Sequence, residues 1–219
     1  MEIRGPGRPG APPLDQDRAG QAVAGPEDAG KSVVALVGAG HTAAMDPVTL
    51  ETARLLLRPF GPSDADAVYA ACQDEDIQYY TPAPSPFRRE DAEKYVGETA
   101  PQGWAGDRDH ILGAFRSDNG ALVGSFCLTR LSEGVYELGY WAAKEQRGRG
   151  YSAEAARVLC DWGFAVLGAH RIEWWAMVGN VPSRALAEKL GFTVEGTLRR
   201  RTVVRGEPRD WWVGGLLKP

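Results

Sequence analysis

The clearest hydrophobic period in the chain runs through Ala155, Val158, Leu159, Trp162 and Val166. These positions fall at i, i+3, i+4, i+7 and i+11, so they line one face of a helix. Gly168 stands where a left-handed glycine closes such a helix. Upstream, residues 135–141 alternate as a strand does, with Glu137, Gly139 and Trp141 on one face and Leu138 and Tyr140 on the other. Between strand and helix lies Glu145-Gln146-Arg147-Gly148-Arg149-Gly150-Tyr151-Ser152. A glycine-rich turn there exposes the first N–H groups of the helix, which have no intrahelical partner. Together with the helix dipole they form a site suited to an anion, phosphate above all. Taken alone, such a loop reads equally well as a basic surface turn.

The same patterns order the rest of the chain. Residues 50–58 read as one strand centred on Leu55, Leu56 and Leu57 and ended by Pro59. Ser63-Asp64-Ala65-Asp66 signals a helix start. Residues 78–87, rich in proline and aromatics, read as a loop, residues 89–100 as a second helix, and residues 103–109 as another loop. Strands are expected over 110–116, 121–129 and 135–141, the first two joined by Ser117-Asp118-Asn119-Gly120. Residues 171–177 form a further strand. Asn180 caps a helix with Pro182 in its first turn and Gly191 at its end. Residues 192–201 and 209–217 close the domain as a hairpin. The pattern is that of one α/β domain.

Composition narrows the functional classes. The 219 residues carry a net charge of −4, which gives no reason to expect a nucleic-acid partner. No apolar run approaches the roughly 20 residues of a membrane span. Cys72, Cys127 and Cys160 have no metal-ligand spacing and cannot all pair, and His41, His110 and His170 are scattered, so no metal is expected and a reduced, cytoplasmic protein is. Residues 1–46, rich in Gly, Pro and Ala, read as a flexible tail ahead of a domain spanning 47–219. Two motif matches sit in that tail. Gly25-Pro26-Glu27-Asp28-Ala29-Gly30-Lys31-Ser32 fits the phosphate-binding P-loop pattern, but only Ala22-Val23-Ala24 precedes it where a buried strand is required. Gly38-Ala39-Gly40-His41-Thr42-Ala43 imitates a dinucleotide fingerprint without the crossover helix that should follow.

From Leu50 to Leu217 the chain resembles the GNAT superfamily of N-acetyltransferases. Arg147-Gly148-Arg149-Gly150-Tyr151-Ser152 is similar to that family's [Q/R]-x-x-G-x-[G/A] loop, with Ser152 in the final small position. Glu137-Leu138-Gly139-Tyr140-Trp141, Asn180-Val181-Pro182-Ser183-Arg184-Ala185-Leu186, Lys189-Leu190-Gly191-Phe192 and Glu195-Gly196-Thr197-Leu198-Arg199 are similar to the Rim-type branch (RimJ/RimL-like). The resemblance implies a mixed, mostly antiparallel sheet of about seven strands flanked by about four helices and splayed between the fourth and fifth strands. It implies acetyl-CoA as cofactor and direct acetyl transfer to a primary amine, on a protein N-terminus or a small molecule, by a monomer or homodimer. A binding module that keeps the acyl-CoA pocket without turnover is the alternative, and a P-loop nucleotide-binding protein a more distant one.

The resemblance also assigns roles. An ammonium with a pKa near ~10.4 must lose a proton before it attacks. Glu137, on the strand that leads to the loop, is the candidate base, against a plain reading as a solvated or ion-paired strand residue. The N–H of Tyr140 or Trp141 would serve the thioester oxygen. Many relatives protonate the departing thiolate with a tyrosine whose place Ala187 holds here, and Ser183 is the substitute. Asn180 would hold the pantetheine arm; capping alone is the plainer role for Asn180 and Ser183. Arg147, Gly148, Arg149, Gly150, Tyr151 and Ser152 would bind the phosphates. Of the seven tryptophans, most read as core, while Trp104, in an expected loop, could line the acceptor mouth. Arg199, Arg200, Arg201, Arg205 and Arg209 read either as hairpin solvation or as an attractor for an acidic acceptor or a coenzyme phosphate.

Overall fold

The computed structural model describes residues 45–219. Both tail motifs, with Lys31, Ser32 and His41, lie outside the described residues. A single eight-stranded sheet runs β1-β2-β3-β4-β5-β6-β8-β7. Its strands are β1 (Leu50–Glu51), β2 (Leu55–Arg58), β3 (Asp109–Arg116), β4 (Leu122–Ser132), β5 (Val135–Ala142), β6 (Arg171–Met177), β7 (Thr193–Val204) and β8 (Glu207–Leu217). All neighbours pair antiparallel except β5 and β6, which are parallel. That one parallel pair requires a crossover, supplied by α5 (Tyr151–Ala165).

The expected first strand is two. Leu50 pairs with Leu57 and Glu51 with Leu56, so residues 50–58 fold back as a tight hairpin. No glycine, proline or asparagine marks the bend at Thr52-Ala53-Arg54. It is held instead from a distance: the Thr52 hydroxyl donates to Glu154 Oε1 at 2.6 Å, and the Arg54 N–H donates to the same oxygen at 3.1 Å. The extra strand moves the parallel pair to β5 and β6, and so the splay expected between strands four and five lies there.

The helical layer also differs from expectation. A helix, α2 (Glu75–Tyr80), occupies the start of the expected 78–87 loop because Asp74 caps it, accepting the Ile77 N–H at 3.2 Å. The second helix continues past residue 100. Its parts α3 (Arg89–Lys94) and α4 (Ala100–Ala105) are joined through a π-helical stretch, Tyr95–Thr99. Trp104 is therefore helical and does not line an acceptor mouth. It is 2% exposed, its Nε1 donates to the Ile111 carbonyl at 2.8 Å, and its ring packs against His110 and Trp162. Removing a buried indole and its satisfied N–H leaves both a cavity and an orphan carbonyl. Trp104→Ala should lower stability by about 3–5 kcal/mol, seen as a fall in urea midpoint with little change in slope.

Each face of the sheet has its own core. Leu57, Leu112, Phe126, Leu128, Tyr136 and Leu138 meet Ala155, Ala156, Leu159 and Trp162 of α5 on one face. Phe60, Ile111, Phe115 and Leu122 meet Val68 of α1 (Ala65–Ala71), Ile77 of α2, and Ala92, Val96 and Ala100 on the other. Gly168 does close α5: at φ 68° it lets the Ala169 N–H reach back to the Gly163 carbonyl at 3.1 Å. The last helix, α6 (Val181–Leu190), starts at Asn180 and stops at Gly191, φ 97°.

Candidate active site

The parallel pairing of β5 and β6 stops early. Val135, Tyr136 and Glu137 face Arg171, Ile172 and Glu173, and beyond them the strands part. Backbone groups of residues 138–142 that point toward β6 therefore have no strand partner. The opening becomes a cleft of about 460 Å³, walled by Gly139, Tyr140, Trp141 and Ala142 on one side and by Trp174, Trp175 and Ala176 on the other. Arg147, Gly148, Gly150, Tyr151 and Ser152 line one end. Asn180 and Ser183 line it from α6, and Asp76, Ile77, Tyr80 and Thr81 from the opposite helical layer.

At the loop, Gly148 (φ 75°) and Gly150 (φ 79°) take left-handed conformations that a side chain would strain. Gly150 is the N-cap of α5, and its carbonyl accepts the Glu154 N–H at 3.1 Å. Among the described residues, the amides of Gly148, Arg149, Gly150, Tyr151, Ser152 and Ala153 have no backbone acceptor. Six adjacent donors at a helix start form a cradle for a polyanion. The turn is fixed from behind, for Arg54 binds Glu154 through its Nε at 2.6 Å and donates to the Arg149 carbonyl at 3.2 Å. Partial burial pulls the Glu154 carboxyl up, but the Thr52 hydroxyl and the Arg54 contacts outweigh it and hold the group below its usual pKa.

The two loop arginines are not equivalent. Arg147 lines the cleft with its guanidinium already engaged, donating to Asp74 at 2.5 Å, to Asp76 at 3.3 Å and to the Ala142 carbonyl at 3.1 Å. Its contribution is to lock the loop onto α2. Arg149 is exposed. The Asp74 and Asp76 partners carried no pattern in the sequence, since only the fold brings α2 beside this loop.

Glu137 sits at the apex of the split, on the face it shares with Gly139 and Trp141. Burial, then the neighbouring Glu173, raise its carboxyl above the ordinary range, Asp109 adding to this and Arg201 opposing it. Glu173 is satisfied by other groups: Arg171 Nε donates to one oxygen at 2.9 Å and Trp175 Nε1 to the other at 2.8 Å. Glu137 has no ion pair within 4 Å among the described residues. It is displaced from the cleft wall itself, which begins at Leu138.

On the other face, Tyr140 and Ser183 meet. The Tyr140 hydroxyl lies 2.9 Å from Ser183 Oγ and 3.2 Å from the Ser183 carbonyl, while Trp174 Nε1 donates to Ser183 Oγ at 3.0 Å. Burial pushes the Tyr140 phenol up to about 12, so it stays protonated. The Ser183 proton is free to turn into the cleft when the phenol and Trp174 both donate to Oγ; when the phenol donates to the carbonyl instead, Ser183 donates to the phenol. Asn180 Oδ1 accepts the Ser183 N–H at 3.2 Å, so capping and cleft lining coexist in one residue. Ala187, one turn on, is buried in the core.

Comparison with known proteins agrees with this geometry. The chain belongs to the GNAT acetyltransferases: the family model described as an acetyltransferase (GNAT) domain matches residues 54–193. It is 29% identical over 164 residues to the uncharacterized N-acetyltransferase YnaD of Bacillus subtilis, covering 74% of this chain and 91% of that one. A GNAT-family acetyltransferase of Bacillus anthracis superposes with a TM-score of 0.68 at 25% identity, over 78% of this chain and 98% of that one. RimL, the ribosomal L7/L12 α-N-protein acetyltransferase crystallised with coenzyme A, shares the fold at TM-score 0.68 and 18% identity, over 76% and 95%. Among the described residues no helix is long and apolar enough to cross a membrane.

Proposed function

We propose that the protein transfers an acetyl group from acetyl-CoA to a primary amine, directly and without a covalent enzyme intermediate. The six partnerless amides of residues 148–153, beside a slit between parted parallel strands, carry the proposal. A diphosphate suits the first and a pantetheine arm the second. RimL, of the same fold, was crystallised with coenzyme A.

Bound acetyl-CoA supplies an activated acetyl thioester. The amides of Gly148 to Ser152 would hold its diphosphate, and Asn180 and the walls Tyr140 and Trp141 its arm. Backbone N–H groups freed where β5 leaves β6 would stabilise negative charge on the carbonyl oxygen. Glu137 would receive the proton of the incoming ammonium, its raised pKa matching it to work nearer neutrality than an ordinary glutamate. Reaching the amine from the apex, it would act through a water. The N–C bond forms as the C–S bond breaks, and the thiolate would meet the Ser183 hydroxyl, whose partners Trp174 and Tyr140 orient it. The fold, the family and three free thiols fit a protein of the reducing cytoplasm.

Calorimetric titration with acetyl-CoA, followed by a thiol-release assay on a panel of amines, tests this. We expect saturable heat and amine-dependent release of free CoA. Heat without release on any amine would leave the silent acyl-CoA-binding module; no heat at millimolar ligand would remove both readings.

A further inference from the structure

The end of the cleft away from the cradle is framed by a feature outside the transfer chemistry. The β7–β8 hairpin reaches it through two arginines, one on the cleft wall and one on α2. The Arg201 guanidinium stacks 4.8 Å from the centre of the Trp175 ring, and Trp175 is part of the cleft wall. Arg205 reaches across to α2, donating to the Gln78 carbonyl at 2.6 Å and lying 5.6 Å from the Tyr79 ring. The next residue of α2, Tyr80, lines the cleft and donates to the Gly179 carbonyl at 3.4 Å. The hairpin, α2 and the β6–α6 connection thus make a continuous rim.

Charge around this rim is uneven. Asp76 faces the cleft but is engaged by Arg147. Glu173 is held by Arg171 and Trp175, and Glu195 by Arg171. Among the described residues Arg201 and Arg205 have no carboxylate within 4 Å, although Arg209, further along the hairpin, pairs with Glu207. Stacking on an indole leaves the guanidinium edge, with its fork of donors, open to a ligand. Arg201 is also close enough to Glu137 for its charge to oppose the rise in that carboxyl's pKa. A molecule whose amine approaches Glu137 therefore comes near a cation that has no carboxylate within 4 Å.

We propose that the acceptor is an amine bearing an anionic group near its amino end, and that Arg201, seated on Trp175, is the specificity-determining residue that binds that group. This deepens the proposed function and rests on it. The anion has two sources, an acidic side chain early in a peptide or the carboxylate of a free amino acid, and the arms of the test separate them.

The test uses the full chain and steady-state acetylation of matched hexapeptides with free N-termini, carrying aspartate or lysine at positions two to four. Free glutamate and its α-amide form a third arm, and spermidine a fourth. Wild-type protein is expected to favour the aspartate peptide over the lysine peptide by about tenfold or more in kcat/KM, expressed in peptide KM. Arg201→Glu should abolish or reverse that preference, and Arg201→Lys should retain part of it. KM for acetyl-CoA should stay within about twofold in both. If glutamate is used and the peptides are not, the anion is that of a free amino acid. Equal use of the two peptides with no use of glutamate, a preference for lysine or spermidine, or an Arg201→Glu variant that loses rate on every acceptor alike, would overturn the inference. Calorimetry with CoA keeps the outcomes distinct: normal CoA binding with no charge preference, or with no acceptor in these arms, defeats the inference alone, whereas absent CoA binding defeats the underlying function.

Discussion

Gly150→Val should weaken coenzyme A binding by about 100-fold, which corresponds to about 2.7 kcal/mol. Two effects combine. Gly150 holds φ 79°, and a β-branched residue there costs roughly 1–2 kcal/mol in backbone strain. Relief of that strain moves the very peptides whose amides form the cradle. Inside the protein a new Cβ meets only Arg54, at 3.5 Å, so the fold itself tolerates the change and the damage falls on the ligand side. Calorimetry should report the full loss, with the melting temperature lowered by only a few degrees. Since the proposed acceptor contacts lie on other elements, KM for the amine should move little. An unchanged CoA affinity would remove the cradle from the binding site.

Glu137→Gln should reduce kcat/KM at neutral pH by about 10²–10⁴-fold, the usual range for loss of a positioned base. In the proposed mechanism the base works ionised, so the rate should fall as pH drops through its raised pKa, above the ~4.3 of a free glutamate. That acid limb should vanish in the variant. Stability should move the other way. A carboxyl whose folded pKa is raised costs the fold most when ionised, so its stability contribution declines as pH rises from the unfolded value through the folded one. Glutamine ends both the desolvation and the repulsion from Glu173, so the variant should be at least as stable as wild type at neutral pH. A variant that is both slower and clearly less stable would mark Glu137 as a structural residue instead.

Much of this site could be read from local pattern, because local rules shape it. The strand–loop–helix around Arg147, the caps at Asn180 and Gly191 and the alternation of β5 each depend on neighbours within a few residues. What escaped depends on residues far apart. The β1–β2 turn has no turn residue of its own and is held by Glu154, about a hundred positions on. Trp104 falls in the expected 103–109 loop, yet it belongs to a helix that runs to Ala105, with its ring packed on Trp162 and His110. Arg147 carried a phosphate-binding expectation from its place in the motif, and only the tertiary fold sets Asp74 and Asp76 against it. The Tyr140–Ser183–Trp174 junction likewise joins three elements, and spacing alone contains no trace of it.

Among the described residues the two edges of the sheet are unequal. β1, at one end, is two residues long, but β7 at the other offers twelve. An edge strand of that length is a template on which other chains can accrete. Here its pairing register breaks at Val194/Gly196 and again between Leu198 and Thr202, where Arg200 adopts φ 51° among three consecutive guanidinium groups. Such kinks and like charges disfavour the docking of an incoming strand, so the arginines are expected to limit self-association of concentrated protein. Neutral, β-prone replacements in the run 199–201 should then be read with light scattering alongside kinetics.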